Sequence, residues 1–310
     1  MYMYLPIALA SVNYLVVVGL GLVVGLLSGL FGVGGGFLMT PLLMMIGIPP
    51  TIAAATDANQ IVAASASGAF SHWRLGNVDF KMGLFLLIGG FVGGAFGVQI
   101  IKILRATGGA DFMIKMTYVV MLGLVGSFMF VESLNALKKN KKVSGTASSA
   151  KTKADKKPGG FFAALPMQTY FEKSGVSHSA LVPIVLGAFV GILAAIMGVG
   201  GGFLMVPVMI YLLRMPMHVV VGTSLFQILF TCIEVTYLQA YSNHTVDFVL
   251  ALLLLVGSVF GAQIGTVLGR KLHGDQLKIL LSIIVLAVTV KIVLELVMEP
   301  AILLAYAGGH

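Results

Sequence analysis

Charge is scarce in this chain. Only 10% of its 310 residues are Asp, Glu, Lys or Arg, against roughly 25% in an ordinary soluble domain. That deficit excludes a soluble enzyme, a disordered scaffold and a disulfide-rich secreted module. Cysteine is rarer still. Cys232 stands alone, which excludes an intramolecular disulfide and a multi-cysteine metal site. No basic residue precedes the first apolar run, so the N-terminus does not read as a signal peptide. No nucleophile–base arrangement is visible. The one glycine-rich motif, GVGGGF, lacks the lysine of a phosphate-binding loop. No cofactor or metal is called for.

What is abundant is apolar: 58% of the residues are hydrophobic, and 39 are glycine. Ten apolar segments can be drawn, at about 6–31, 34–47, 51–71, 81–104, 112–136, 180–197, 200–213, 217–241, 247–269 and 277–298. Long segments that are apolar on every side must be helical in lipid, because an open sheet leaves its backbone unsatisfied there. The net charge of +8 does not point to nucleic acid. Residues 138–157 hold eight lysines and one aspartate, and the rest of the chain is close to neutral. Their Lys, Ser, Ala and Gly content cannot support a packed core, which predicts a linker. The following FFAALPMQTYF (161–171) is too short to span and reads as interfacial. The expected domains are an N-terminal membrane repeat (1–137), a Lys-rich linker (138–179) and a C-terminal membrane repeat (180–310).

The two halves repeat. GVGGGFLM at 32–39 recurs unchanged at 198–205, with Pro41 and Pro207 two residues beyond. Pro49 matches Pro216, ATDANQ (55–60) matches GTSLFQ (222–227), and Val78-Asp79-Phe80 matches Val246-Asp247-Phe248. Gly93 and Gly97 match Gly261 and Gly265. Collinear matches at a near-constant offset mean duplication. Five segments per half, an odd number, put the halves in opposite orientations. Placing the linker in the cytoplasm puts 15 of the 19 basic residues inside, leaving Lys102, Arg105, Lys115 and Lys291 outside. Both termini are then expected outside. The fold class is an all-α polytopic membrane protein of two inverted repeats. Each repeat has about five helical segments, broken or re-entrant at GVGGG. Inverted repeats point to a secondary transporter with its site between the halves.

Consecutive glycines should break or start a helix within the bilayer. The amides of Gly34, Gly35, Gly36 and Phe37, and of Gly200, Gly201, Gly202 and Phe203, would then open short helices and suit an anion. Close helix packing through small residues is the competing reading. Thr56, Asn59 and Gln60 in one half, and Thr223, Ser224 and Gln227 in the other, add neutral hydrogen-bonding groups. Asp57 and Glu234 are the acids deepest in expected spans and are candidates for proton coupling.

The stretches GLLSGLFGVGGGFLMTP (25–41) and GILAAIMGVGGGFLMVP (191–207), with GTSLFQ and GAQIG (261–265), resemble the sulfite exporter TauE/SafE family of membrane transporters. The resemblance implies movement of small sulfur-containing anions such as sulfite, organosulfonates or thiosulfate. The first half departs from the family's GTS pattern with Ala55-Thr56-Asp57.

Asp79 and Asp247 precede new helices and read as N-caps. His72, Trp73 and Arg74 read as an interface anchor. His218 and His244 fall near span ends, and Cys232 reads as an inert buried thiol. The expected function is export of a small sulfur-containing anion by alternating access. Proton-coupled uptake of a sulfur-containing or carboxylate anion, and a passive anion channel, are the rivals. The expected setting is a bacterial-type inner membrane, and the partners are a small anionic substrate and the lipid bilayer. Nucleic acid is not a partner, and a homo-oligomer is compatible.

Overall fold

A computed structural model describes residues 2–31, 36–140, 168–269 and 274–298. Gly34, Gly35, most of the lysine-rich linker, residues 161–167 of the segment read as interfacial, and Arg270 and Lys271 lie outside the described residues.

All ten apolar segments carry helix. They are α1 (Tyr14–Phe31), α2 (Gly36–Met45), α3 (Pro50–Arg74), α4 (Phe80–Ala106) and α5 (Ala110–Asn140) in the first half. The second half has α6 (Leu181–Met197), α7 (Gly202–Pro207), α8 (Met217–Leu238), α9 (Phe248–Gly269) and α10 (Gly274–Met298). After Pro207 the chain widens to π pitch over Val208–Leu212, and again over Gln239–Asn243 beyond α8. Among the described residues, four helical stretches are long and apolar enough to cross a membrane: Phe80–Ala106, Ala110–Phe128, Val219–Asn243 and Phe248–Gly265. With the shorter apolar helices, this is an all-α polytopic membrane protein.

Two short hairpins were not expected. Strand β1 (Tyr2–Leu5) pairs antiparallel with β2 (Ala10–Asn13), and β3 (Gln168–Phe171) with β4 (Val176–Ser179). The first apolar segment therefore begins as a hairpin, and its helix starts only at Tyr14. Pro6 lies in the turn, where it disrupts no helical hydrogen bond. Asn13 Oδ1 then accepts from the Leu15 amide at 3.0 Å and opens α1. Residues 168–171 of the segment read as interfacial form strand β3. Leu5 and Phe171, at matching places in the two hairpins, are both fully buried.

Every major helix pair takes one member from each half: α1 with α9, α4 with α6, α3 with α8, and α5 with α10. The contacts are reciprocal. A β-carbon on Gly93 (α4) would fall 2.0 Å from the Ala188 carbonyl oxygen of α6. One on Gly261 (α9) would fall 2.1 Å from the Leu22 carbonyl oxygen of α1. Glycine at these positions lets the backbones touch, as small residues do between membrane helices. The α3–α8 pair runs antiparallel: Gly68 meets Leu225, while Ile61 lies with Ile228 and Cys232 around Gly200.

Candidate functional site

The second glycine run is a turn between helices. Gly198 closes α6 at φ 71°, Gly200 and Gly201 follow at 68° and 75°, and α7 starts at Gly202. These left-handed angles favour glycine. Packing demands it too: a β-carbon at Gly198 would lie 1.9 Å from the Ala54 carbonyl oxygen. His178, just before α6, has its Nε2 3.0 Å from the carbonyl oxygen of Leu213, at the end of the π-pitch stretch that continues α7. The glycine turn is therefore the tip of a helical hairpin. Gly198 to Phe203 are all buried.

The two glycine segments meet. A β-carbon on Gly36 would come within 3.3 Å of Val199 Cα. The repeat-related Phe37 and Phe203 stack on each other, with centroids 5.2 Å apart and planes at 17°. Beside this contact lies Asp57, fully buried in α3. Its Oδ2 accepts from the Thr40 hydroxyl of α2 at 2.9 Å. That hydroxyl is also 3.4 Å from the carbonyl oxygen of Met197, the residue preceding the second glycine turn. The Tyr118 hydroxyl of α5 donates to the same carbonyl. Asp57 thus sits between the helix that follows the first glycine run and the helix that precedes the second.

Several polar atoms here are buried without a hydrogen-bond partner among the described residues: Asp57 Oδ1, Gln60 Oε1, Gln227 Oε1 and Glu234 Oε2. Native interiors rarely leave such atoms unpaired unless a ligand or water completes them. Gln227 donates from Nε2 to Thr231 Oγ1 at 3.0 Å. Both residues face Gly90 of α4, and Glu234 faces Gly94. Asn59 is half-buried, and Ser224 turns back to donate to the Val221 carbonyl oxygen at 3.0 Å. Cys232 is buried against Gly200.

Thr56 and Thr223 do something else. Each hydroxyl accepts the backbone amide of the N-cap aspartate belonging to the other half. Asp247 donates to Thr56 at 3.2 Å, and Asp79 donates to Thr223 at 3.0 Å. The two threonines lie toward opposite ends of the α3–α8 pair, so they are not brought together. Thr40, Tyr118 and Thr231 were not singled out from sequence. Thr40 carried a signal, since it breaks the repeat where the second half has Val206. Tyr118, mid-helix in an apolar segment, carried none.

The comparisons with known proteins decide the family. The model of the sulfite exporter TauE/SafE family matches residues 17–292. The chain belongs to the TauE/SafE family. It is therefore a multi-pass membrane transporter, and the family is one of transporters rather than enzymes. A probable membrane transporter of Bacillus subtilis, YunE, is 27% identical over 295 residues, spanning 91% of this chain and 98% of its own length. A second from that organism, YjnA, is 28% identical over 275 residues, covering 88% and 97%. TauE/SafE family protein 1 of Arabidopsis thaliana is 34% identical over a shorter stretch, 29% of this chain and 20% of its own. No solved structure matches the chain.

Proposed function

We propose that this TauE/SafE transporter exports a small sulfur-containing anion, sulfite or an organosulfonate. In this reading two inverted repeats alternate access around the point where their glycine segments touch. The observation that carries it is the contact of Gly36 with Val199 and of Phe37 with Phe203, beside buried polar atoms of Asp57 and Gln60 that lack partners among the described residues. Reciprocal helix pairing and the antiparallel run of α3 and α8 support the inverted arrangement.

The binding groups are the amides of Gly36 and Phe37 at the start of α2 and of Gly200 to Phe203 at the turn into α7, with the side-chain amides of Gln60, Gln227 and Asn59; Gly34 and Gly35, read with them from sequence, lie outside the described residues. A glutamine can present its NH₂ to an anion oxygen by rotating its amide. Ser224 bonds its own helix, and Thr56 and Thr223 hold the capping aspartates at opposite ends of the α3–α8 pair. An inside-negative potential favours anion exit by about 2.3 kcal/mol per charge per 100 mV. The lysine-rich linker lies in the cytoplasm and both termini lie outside, in an inner membrane.

A second reading, proton-coupled uptake, has its own observation. Asp57 and Glu234 each hold a buried carboxylate oxygen with no hydrogen-bond partner among the described residues, and either can carry a proton alongside an anion. Proteoliposomes preloaded with sulfite, thiosulfate, taurine or a simple carboxylate test both. Saturable efflux of a sulfur-containing anion, independent of a pH gradient, is expected. Efflux no faster than from empty vesicles overturns the export reading, and flux that does not saturate makes the protein a channel. If a pH gradient drives flux, Asp57→Asn or Glu234→Gln abolishes that dependence. Unchanged dependence in both variants removes the coupling role.

A further inference from the structure

Away from the glycine turns, the chain builds a concave feature. The last turns of α3, the start of α4 and the near face of α8 enclose about 310 Å³. Ala66 and Ala69 leave room between the helices, while Phe70, Trp73, Phe226 and Phe230 form the walls. The rings brace one another. Phe70 meets Trp73 edge-on at 5.9 Å, and Phe226 meets Phe80 at 5.4 Å and Phe230 at 5.1 Å. Phe70 and Trp73 remain more than half exposed. Gln227, Thr231 and Glu234 do not line it; they face Gly90 and Gly94 farther along α4.

Arg74 brings positive charge to the groove, and Lys81 and Lys173 add two more cations nearby, on the side of the β3–β4 hairpin. The Arg74 guanidinium sits 5.5 Å over the Phe70 ring. Lys81 follows Phe80, and its ammonium donates to the Tyr170 carbonyl oxygen at 3.2 Å. Lys173 reaches the Gly76 carbonyl oxygen at 3.3 Å. Among the described residues none of these cations forms an ion pair. Glu172 is exposed beside Lys173, and Asp79 is buried with both carboxylate oxygens already accepting hydrogen bonds. An apolar slot open along the helix sides, with an arginine over its rim at a helix end, matches one chemistry. That chemistry is an acyl chain below and a phosphate above.

We propose that the α3–α8 groove is a binding site for one anionic phospholipid, its acyl chain between Ala66 and the phenylalanines and its phosphate at Arg74. The site bridges two helices that come from different halves, so its occupant spans their shared surface.

Native mass spectrometry of the detergent-purified full chain tests this, with phosphatidylglycerol and phosphatidylcholine of identical chains. One phosphatidylglycerol is expected to be retained over phosphatidylcholine. Arg74→Gln is expected to lower that preference about fivefold, as loss of a charge-assisted contact should. Lys81→Gln gives a smaller drop and serves if the arginine variant is poorly folded. Ala66→Phe, at an exposed groove position, lowers retention of both lipids. Lys102→Gln, near the other end of α4, changes nothing. Equal retention by the wild type, the Arg74 variant and the Lys81 variant overturns the proposal. So does displacement by inorganic phosphate at matched concentration, or a dimer that Ala66→Phe dissociates, which would make the groove a protein interface. None of these readouts depends on which anion is transported.

Discussion

Asp57 stands where the second half has Ser224, and Thr40 stands where it has Val206. The two departures are hydrogen-bonded to each other. Ser224 needs no such partner, because it satisfies itself on its own helix. The first half thus keeps a buried acid only together with a hydroxyl one element away. Thr40→Val is expected to lower stability by about 1–3 kcal/mol, because it strips a buried carboxylate oxygen of its donor. Asp57→Ser in the Thr40→Val background rebuilds the second half's pair and is expected to recover part of that loss. Thermal unfolding of the four proteins in detergent reads the coupling, expected at about 0.5–3 kcal/mol. Strict additivity would show that the pair is not a unit. Asp57 was legible in sequence as a deep acid and a broken repeat. That Thr40, the other broken position, is its partner was not, because threonine in an apolar run commonly bonds only its own backbone.

At the scale of elements, the glycine turn and the two hairpins teach different lessons. GVGGG was readable as a break because three glycines cannot be cheap inside a helix. That its second copy is a tip packed on Ala54, Val190 and Cys232 was not readable, since the neighbours come from α3, α6 and α8. Two left-handed glycines separate conformation from space. Gly76, at φ 73°, has nothing near its missing β-carbon among the described residues, whereas Gly198, at 71°, has a carbonyl oxygen at 1.9 Å. Gly76→Ala is expected to cost about 1–2 kcal/mol from backbone strain alone. Gly198→Ala is expected to abolish monodisperse protein. Size-exclusion profiles and melting temperatures of the two variants check this, and a well-folded Gly198→Ala protein would contradict the packing. Because the fold needs these glycines, their substitution is a poor probe of anion binding, and Gln60 and Gln227 are better ones. The hairpins escaped notice because four-residue strands are too short to show a period, and the first one merges with the apolar run of α1.

Across the whole molecule the halves are clasped at two places by the same device. Asp79 caps α4 through Met82, takes the Ser174 amide and hydroxyl from the β3–β4 turn, and donates its own amide to Thr223. Asp247 caps α9 through Val249 and Leu250, takes the Ile7 amide from the β1–β2 turn, and donates to Thr56. Each aspartate therefore fastens its own helix to the hairpin and a long helix of the other half. Asp79→Ala is expected to cost about 0.5–2 kcal/mol as a lost cap. It should also raise hydrogen exchange across Thr169–His178, and Asp247→Ala should do the same across Met3–Val12. Exchange changes confined to α4 or α9 would reduce both residues to ordinary caps. The N-cap role was legible from Val-Asp-Phe before each apolar run. The clasp was not, because its partners are distant in sequence, 144 residues for Thr223 and 240 for Ile7.

Composition, apolar runs and an eight-residue repeat were enough to read this chain as a duplicated helical membrane protein and to expect helix breaks at its glycines. Those features are local, and lipid leaves a backbone few alternatives. Which half supplies the partner of each helix, that Phe37 finds Phe203, and that Thr56 and Thr223 hold capping aspartates were decided only by the fold. Those contacts join residues far apart in the chain, and a threonine's hydroxyl looks the same in sequence whether it holds a backbone amide or a solute.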